Sequence, residues 1–288
     1  MATLSDIRRS IKAVKSTRQI TKAMKMVAAS KLRKAQSRML EMRPYADKMR
    51  SVISGLAAGG DMELHPLLTV RPRRMVEVLV MTSDRGLCGA FNTNILKAAA
   101  ITIAGLRSGG FEVSISIVGR KANDYFKRRN VPVRRKWAGL SGNISYPAAQ
   151  EIAADMMENY INETFDELHI VYNEFKNVMS QQVTVMKLLP LAPIDVAGAA
   201  ATVVDYIYEP SEQEIFNRLL PKNVEVQVFR GLLESQASEE AARMTAMENA
   251  TKNANEMIDR LTLQYNKARQ ATITKELMDI VGGVEALK

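Results

Sequence analysis

Cysteine occurs once, at Cys88, and histidine only at His65 and His169, so the chain has neither an internal disulfide framework nor a His or multi-Cys cluster for a metal. The phosphate-cradling patterns G-x-x-x-x-G-K-[ST] and G-x-G-x-x-G are absent too, which removes the usual sequence marks of a nucleotide enzyme. Cys88 could serve as a nucleophile only beside a base, and neither histidine is near it in sequence, so a buried, inert thiol is expected. Adjacent carboxylates such as Asp166 with Glu167, or Glu239 with Glu240, point apart on their elements and make no acid/base pair. No catalytic residue, cofactor or metal is therefore expected. No apolar stretch reaches about 18 residues, and no short apolar core with a cleavage site opens the chain. The expectation is a cytoplasmic chain, mature from Met1 or Ala2. Aromatic residues make up only 6%, and proline and glycine are both missing between residues 232 and 281.

That last absence marks one of two long helices. Near the end of the chain, Leu233, Ala237, Ala241, Met244, Met247, Thr251, Ala254, Ile258, Leu261, Tyr265 and Ala268 recur at a mean step of about 3.5 residues, the period at which helices wrap around a partner. The first fifty residues carry a matching ladder through Ile7, Ile11, Val14, Thr17, Ile20, Met24, Val27, Leu32, Ala35, Met39 and Met42, continuing to Leu56. A helix of that length spans roughly 75 Å and needs a second long helix to cover its apolar stripe. Two such segments at opposite ends of one chain predict an antiparallel coiled coil closed by an inserted domain. Ser5 is the expected N-cap, and Pro44 is expected to kink the first helix rather than stop it. The 17 methionines cluster on these helices, as seam filler or as an adaptable surface toward changing partners.

Charge is concentrated in the first helix. Residues 1–50 hold 14 Lys and Arg against Asp6, Glu41 and Asp47, a net of +11, so the other 238 residues sum to −2. Arg8, Lys12, Lys15, Lys22, Lys25, Lys31 and Lys34 fall off the apolar ladder and are expected on its outer faces. Three readings stay open for that face: a solvated surface, an acidic protein wall, or nucleic acid or lipid. Stacking aromatics of the kind nucleic-acid grooves use are missing from it, the first being Tyr45.

Between the helices, short β-branched runs alternate with helical stretches. Strands are expected at residues 75–82, 112–118, 131–137, 165–175 and 182–189, and helices at 92–106, 121–129 and 146–164. This alternation predicts βαβ units and a largely parallel sheet. The division expected is a coiled-coil helix at 1–60, a linker at 61–74, an α/β body at 75–190, a linker and foot at 191–210, and a coiled-coil helix at 211–288. The loop SDRGLCGAFN, residues 83–92, stands where α/β sheets bind phosphates, yet its glycines fit no phosphate motif and read as turn residues.

Four stretches together resemble one family. IRRSIKAVKSTRQITKAMKMVAASKLRKAQ at residues 7–36, SDRGLCGAFN, DYIYEP at 205–210, and the segment from Ala237 to Leu287 are similar to the gamma subunits of F-type ATP synthases, the central rotating shaft. The final GGVEA departs slightly from the commoner Gly-Ala-x-Ala form. The resemblance implies a coiled coil inserted in a hexamer of alternating alpha and beta subunits, with a Rossmann-like body outside it and a foot on the membrane ring of c subunits, where the epsilon subunit is held. It implies a non-catalytic rotor that couples proton or sodium flow to the catalytic beta subunits, peripheral on the cytoplasmic face of a bacterial inner membrane, with no nucleic acid partner. By position, Met24 and Lys25 match the region facing the acidic lever loops of beta. Arg269 and Gln270 match residues meeting a beta catch loop, with Thr274 and Glu276 a turn further on and Arg243 at a polar position lower in the shaft. Tyr206, Tyr208 and Glu209 fall where the foot meets the ring or epsilon.

Overall fold

In the computed structural model, residues 3–59, 65–129, 131–140, 142, 144–191 and 212–285 are described. They form two compact units, one of Met1–Ala28 with Met244–Lys288, the other Ala29–Arg243. Two long helices run through both, α1 (Leu4–Gly59) and α5 (Glu212–Glu285). Between them lie β1 (Met75–Met81), α2 (Phe91–Ser108), β2 (Glu112–Val118), α3 (Arg120–Phe126), β3 (Val133–Trp137), α4 (Tyr146–Ile161), β4 (Glu167–Phe175) and β5 (Gln181–Leu189). Each expected strand and helix of the body is present, with ends shifted by a few residues. α1 begins two residues earlier than the Ser5 cap implies, because Thr3 and Asp6 form a capping box: Thr3 N–H donates to the Asp6 carboxylate at 3.1 Å and Asp6 N–H to the Thr3 hydroxyl at 3.3 Å. The helix continues through Pro44.

In the larger unit a five-stranded sheet has the order β3-β2-β1-β4-β5. β1 pairs in parallel with β2 and β4, β2 in parallel with β3, and β5 runs antiparallel to β4. One face carries Val78, Val80, Ile115, Ile117 and Val171 against α2 and α3. The other carries Leu79, Met81, Leu168, Ile170 and Tyr172 against α4 and parts of α1 and α5. Covering both faces explains why β1 reads as an unbroken apolar run. Gly119 sits at the end of β2 with φ +90°, and a Cβ there would lie 2.2 Å from the Thr82 carbonyl oxygen, so only glycine permits the close approach of these two strand ends.

Glu77 is the exception in β1, fully buried in mid-strand. The hydroxyls of Ser114 and Ser116 on β2 donate to it, and Arg134 Nε lies 3.2 Å away. Arg134 reaches it because the β2–β3 register shifts between Ile115 and Ser116, leaving Arg134 as the extra residue of a bulge. Arg134 also contacts Asp155 of α4 at 2.5 Å, and Arg135 contacts the other Asp155 oxygen at 2.8 Å. The network ties three strands and a helix together, and the partners of Glu77 in it are the hydroxyls of Ser114 and Ser116 and the Arg134 guanidinium. Arg134→Met is expected to lower the unfolding free energy by about 3–5 kcal/mol, because Glu77 is left charged and buried. Adding Glu77→Met should recover most of that loss. Chemical denaturation of the full chain checks both, and a loss below about 1 kcal/mol for the single variant would contradict the assignment.

Candidate functional site

In the unit formed by Met1–Ala28 and Met244–Lys288, the two helices pair antiparallel. α5 presents the expected ladder: Met247, Ala254 and Ile258 are buried, and Thr251, Leu261, Tyr265 and Ala268 half-buried. α1 does so only in part: Ile7, Ile11, Val14 and Met24 are half-buried as expected, and the positions that alternate steps of three and four without a break are Leu4, Ile7, Ile11, Val14, Arg18, Thr21, Lys25 and Ala28. Thr17, Ile20 and Val27, expected on the seam, are exposed, Ile20 at 57% and Val27 at 56%. The apolar rungs on either side fix the phase, and in the strict heptad the intervening places fall to polar residues one position later than hydrophobicity alone selects.

Those polar residues are matched across the seam. The Arg18 guanidinium donates to the Asn255 side-chain oxygen at 3.1 Å, the Thr21 and Thr251 hydroxyls share a hydrogen bond of 2.8 Å, and Lys25 Nζ lies 2.7 Å from a Glu248 carboxylate oxygen. Lys25 therefore belongs to the seam, contrary to the expectation that it coats an outer face. Met24, beside it, is half-buried. The better apolar face of α1 here, with Ile20, Met26 and Val27, is turned to solvent.

Beyond Ala268 every residue of α5 with a described surface is exposed, including Arg269, Gln270, Thr274 and Glu276. Ile273, Leu277, Met278, Ile280 and Val281 are exposed with them. Large apolar side chains at such density on an exposed helix mark a surface that another molecule covers. Tyr206, Tyr208 and Glu209 lie outside the described residues.

In the larger unit, α5 lies over the C-terminal ends of β1 and β4. In a doubly wound sheet that is the topological switch point, the crevice where a dinucleotide would sit. Here Gly231 lets the helix rest on the strands, since a Cβ would stand 3.3 Å from the Met81 sulfur and 3.8 Å from the Tyr172 ring. Beyond it, Phe175 N–H donates to Glu234 at 2.9 Å and the Ser238 hydroxyl donates to the Asn173 carbonyl at 3.2 Å. The crevice is filled by the chain's own helix. No motif or apolar period marks Glu234, Ser235 and Ser238 in the sequence, and their partners on β4 are brought close only by the fold.

The 83–92 loop is held rather than open. Arg243 donates to the Gly86 carbonyl at 2.6 Å, is paired with Glu239, and lies 3.5 Å from Glu240. The Asn92 side-chain oxygen accepts from Ser83 N–H at 3.0 Å, occupying a donor that a phosphate would otherwise use. Leu87, at the loop's tip, has φ +64° and is exposed. Arg243 is thus buried and structural on one side of this loop, not an open contact residue. Cys88 lies beneath, and burial pushes its thiol up from the ordinary range against the opposing charge of Arg243. Among the described residues, no three His, Cys, Asp or Glu are grouped to hold a metal ion. Nor is any described helix long and apolar enough to cross a membrane.

A paired-helix unit with uncovered apolar surface, in a chain whose α/β unit has its switch-point crevice occupied by its own helix, is the make-up of a mechanical or assembly subunit. Comparison with known proteins gives the particular family. A family model described as ATP synthase matches residues 3–287. The chain is 49% identical over 288 residues to the ATP synthase gamma chain of Geobacter metallireducens, and 48% identical over 288 residues to that of Pelotomaculum thermopropionicum, with all of both chains covered in each case. Among solved structures it is similar to the central stalk of the Tetrahymena thermophila mitochondrial ATP synthase, at 30% identity and TM-score 0.61 over 80% of this chain and 99% of that one. A chain of the Euglena gracilis mitochondrial enzyme shares the fold at 22% identity, with TM-score 0.69 over 99% of this chain and 94% of that one. The chain belongs to the ATP synthase gamma chain family.

Burial and the raised thiol pKa make Cys88 unreactive in the folded chain. At pH 8 its alkylation by iodoacetamide is expected to run at least about 10-fold slower than in urea, since the thiolate is the reacting form and access requires local opening. Equal rates would show that the 83–92 loop is open.

Proposed function

We propose that this chain is the non-catalytic central stalk of an ATP synthase, coupling rotation of an ion-driven membrane ring of c subunits to conformational changes in catalytic beta subunits, and the reverse during ATP hydrolysis. Full-length identity near one half to gamma chains supports the family part of this reading. The observation that carries the mechanical part is the uncovered apolar surface on α1 at Ile20, Met26 and Val27 and on α5 from Ile273 to Val281. On this reading the alternating alpha and beta subunits cover it. Met24, Lys25, Arg269, Gln270, Thr274 and Glu276 are the contacts to the hexamer, with Arg243 acting through the loop it holds. Tyr206, Tyr208 and Glu209 are the contacts to the ring or the epsilon subunit. Residues 1–60 and 211–288 serve as the shaft, 75–190 as the body, and 61–74 and 191–210 as connections, the latter forming the foot. The chain is peripheral, on the cytoplasmic face of a bacterial plasma membrane, and carries proton or sodium coupling only through the complex.

The physical requirement is differential affinity. A surface that bound every beta conformation equally would shift none of them, whatever its strength. Exchangeable contacts suit this: methionine adapts its shape, and exposed ion pairs contribute only about 0 to 1 kcal/mol each. The asymmetry of α1 provides the rest, with one side committed to the seam through Arg18, Thr21 and Lys25 and the other left apolar and basic. A new charge on that free side changes the preference among beta conformations, and about 1.4 kcal/mol of change is tenfold in population.

Met24→Lys is accordingly expected to leave co-purification with alpha and beta subunits intact while cutting ions pumped per ATP hydrolysed to about half or less. Wild-type pumping per ATP in the variant would count against the contact assignment. Failure of the tagged chain to bring down an alpha/beta complex at all would count against the central-stalk reading.

A further inference from the structure

β4 is longer than its neighbour. β1 pairs with it only from Glu167 to Val171, while β4 runs on to Phe175 with β5 on its other side. From Asn173 onward, the backbone groups on the β1 side of β4 have no strand to bond. Side chains of α5 take the place of that strand. Asn173 N–H donates to the Ser235 hydroxyl at 3.3 Å, the Ser238 hydroxyl donates to the Asn173 carbonyl at 3.2 Å, and Phe175 N–H donates to Glu234 at 2.9 Å. Glu234 and Ser238 are fully buried, and Ser235 and Asn173 nearly so. Arg230, one turn before Glu234, lies 3.9 Å from its carboxylate.

We propose that this stitch of Glu234, Ser235 and Ser238 to the free edge of β4 is the joint through which torque passes between the α/β body and α5. The inference rests on the central-stalk reading above and names the positioning residues that let the body and the helix turn together. Apolar contacts between α5 and the body, at Leu232 and Leu233, resist separation of the two. Being non-directional, they oppose sliding along the helix axis and rotation about it only weakly. Torque loads those two motions. Three hydrogen bonds from successive turns of one helix to fixed backbone groups of a central strand define both the axial position and the angle. Their burial keeps water from replacing them under load. Gly231 brings the helix axis against Met81 and Tyr172, which is what puts three short side chains within reach of the strand.

The test uses the assembled ATP synthase in native membranes carrying variants of this chain, with two readouts. Hydrogen exchange of the segment from Tyr172 to Phe175 reports the bonds themselves, and ions pumped per ATP hydrolysed against an opposing gradient reports the torque. Glu234→Ala, and Ser235→Ala with Ser238→Ala, are expected to speed exchange in that segment by about 10-fold or more and to cut pumping under load to about half or less. Glu234→Gln keeps an acceptor for Phe175 N–H and should restore both. Faster exchange with wild-type pumping under load would overturn the proposal by showing that the bonds exist but carry no torque. Unchanged exchange in the alanine variants would overturn it by showing that the bonds are not made. If Glu234→Ala prevents assembly, Ser238→Ala alone, which removes one bond and leaves the buried charge paired, is read by the same two criteria. A wild-type complex that hydrolyses ATP without pumping would instead overturn the central-stalk reading itself.

Discussion

Backbone polar groups buried away from water must find partners, and in this protein that requirement settles how the long C-terminal helix meets the sheet. β4 outruns β1, and its unpaired edge is closed by Glu234, Ser235 and Ser238 of α5. Because α5 must lie there, nearly every residue from Gly231 to Ala241 is buried, polar ones included. Because it lies there, the switch-point crevice of a Rossmann-like sheet is full. Residues of α5 beyond Arg243 pair with α1 through a seam of their own. One constraint thus explains why the switch-point crevice is occupied by α5 and why that helix is fixed to the sheet.

Polar groups also decide the character of the paired helices. A seam composed wholly of large apolar residues would be stronger, but this one runs through Arg18, Thr21 and Lys25 matched by Asn255, Thr251 and Glu248. The consequence is that Ile20 and Val27 remain outside and free for another molecule. Along α5 beyond Ala268 the helix is exposed and has no packing partner among the described residues, and its apolar residues are again left outside. Surface of this kind is expensive for a soluble chain and suits a subunit that is enclosed by others.

Much of this architecture was legible in the sequence. The seam of α5 was read correctly from Met247 to Ala268, because there the apolar residues and the heptad coincide. The strands and helices of the body were legible from the alternation of short β-branched runs with helical stretches. On α1 between Val14 and Ala28, hydrophobicity favours Thr17, Ile20 and Val27, which are exposed, and Met24, which is half-buried, whereas phase is set by the rungs on either side. The family resemblance implies contact positions that periodicity does not suggest. It did not reveal that Arg243 is buried against the Gly86 carbonyl or that Lys25 pairs across the seam, since both depend on which residues tertiary structure brings close. The partners of Glu77, which are Ser114, Ser116 and Arg134, come from strands that only the fold places beside it.

The central claim is that this chain turns as a rotor inside an alpha/beta complex. Met179, at the tip of the β4–β5 turn, is 83% exposed and offers a handle, while buried Cys88 does not compete for a thiol label. A bead attached through Met179→Cys on a complex immobilised by its alpha and beta subunits should rotate in one direction when ATP is added. A bead that stays still while ATP is hydrolysed would contradict the account.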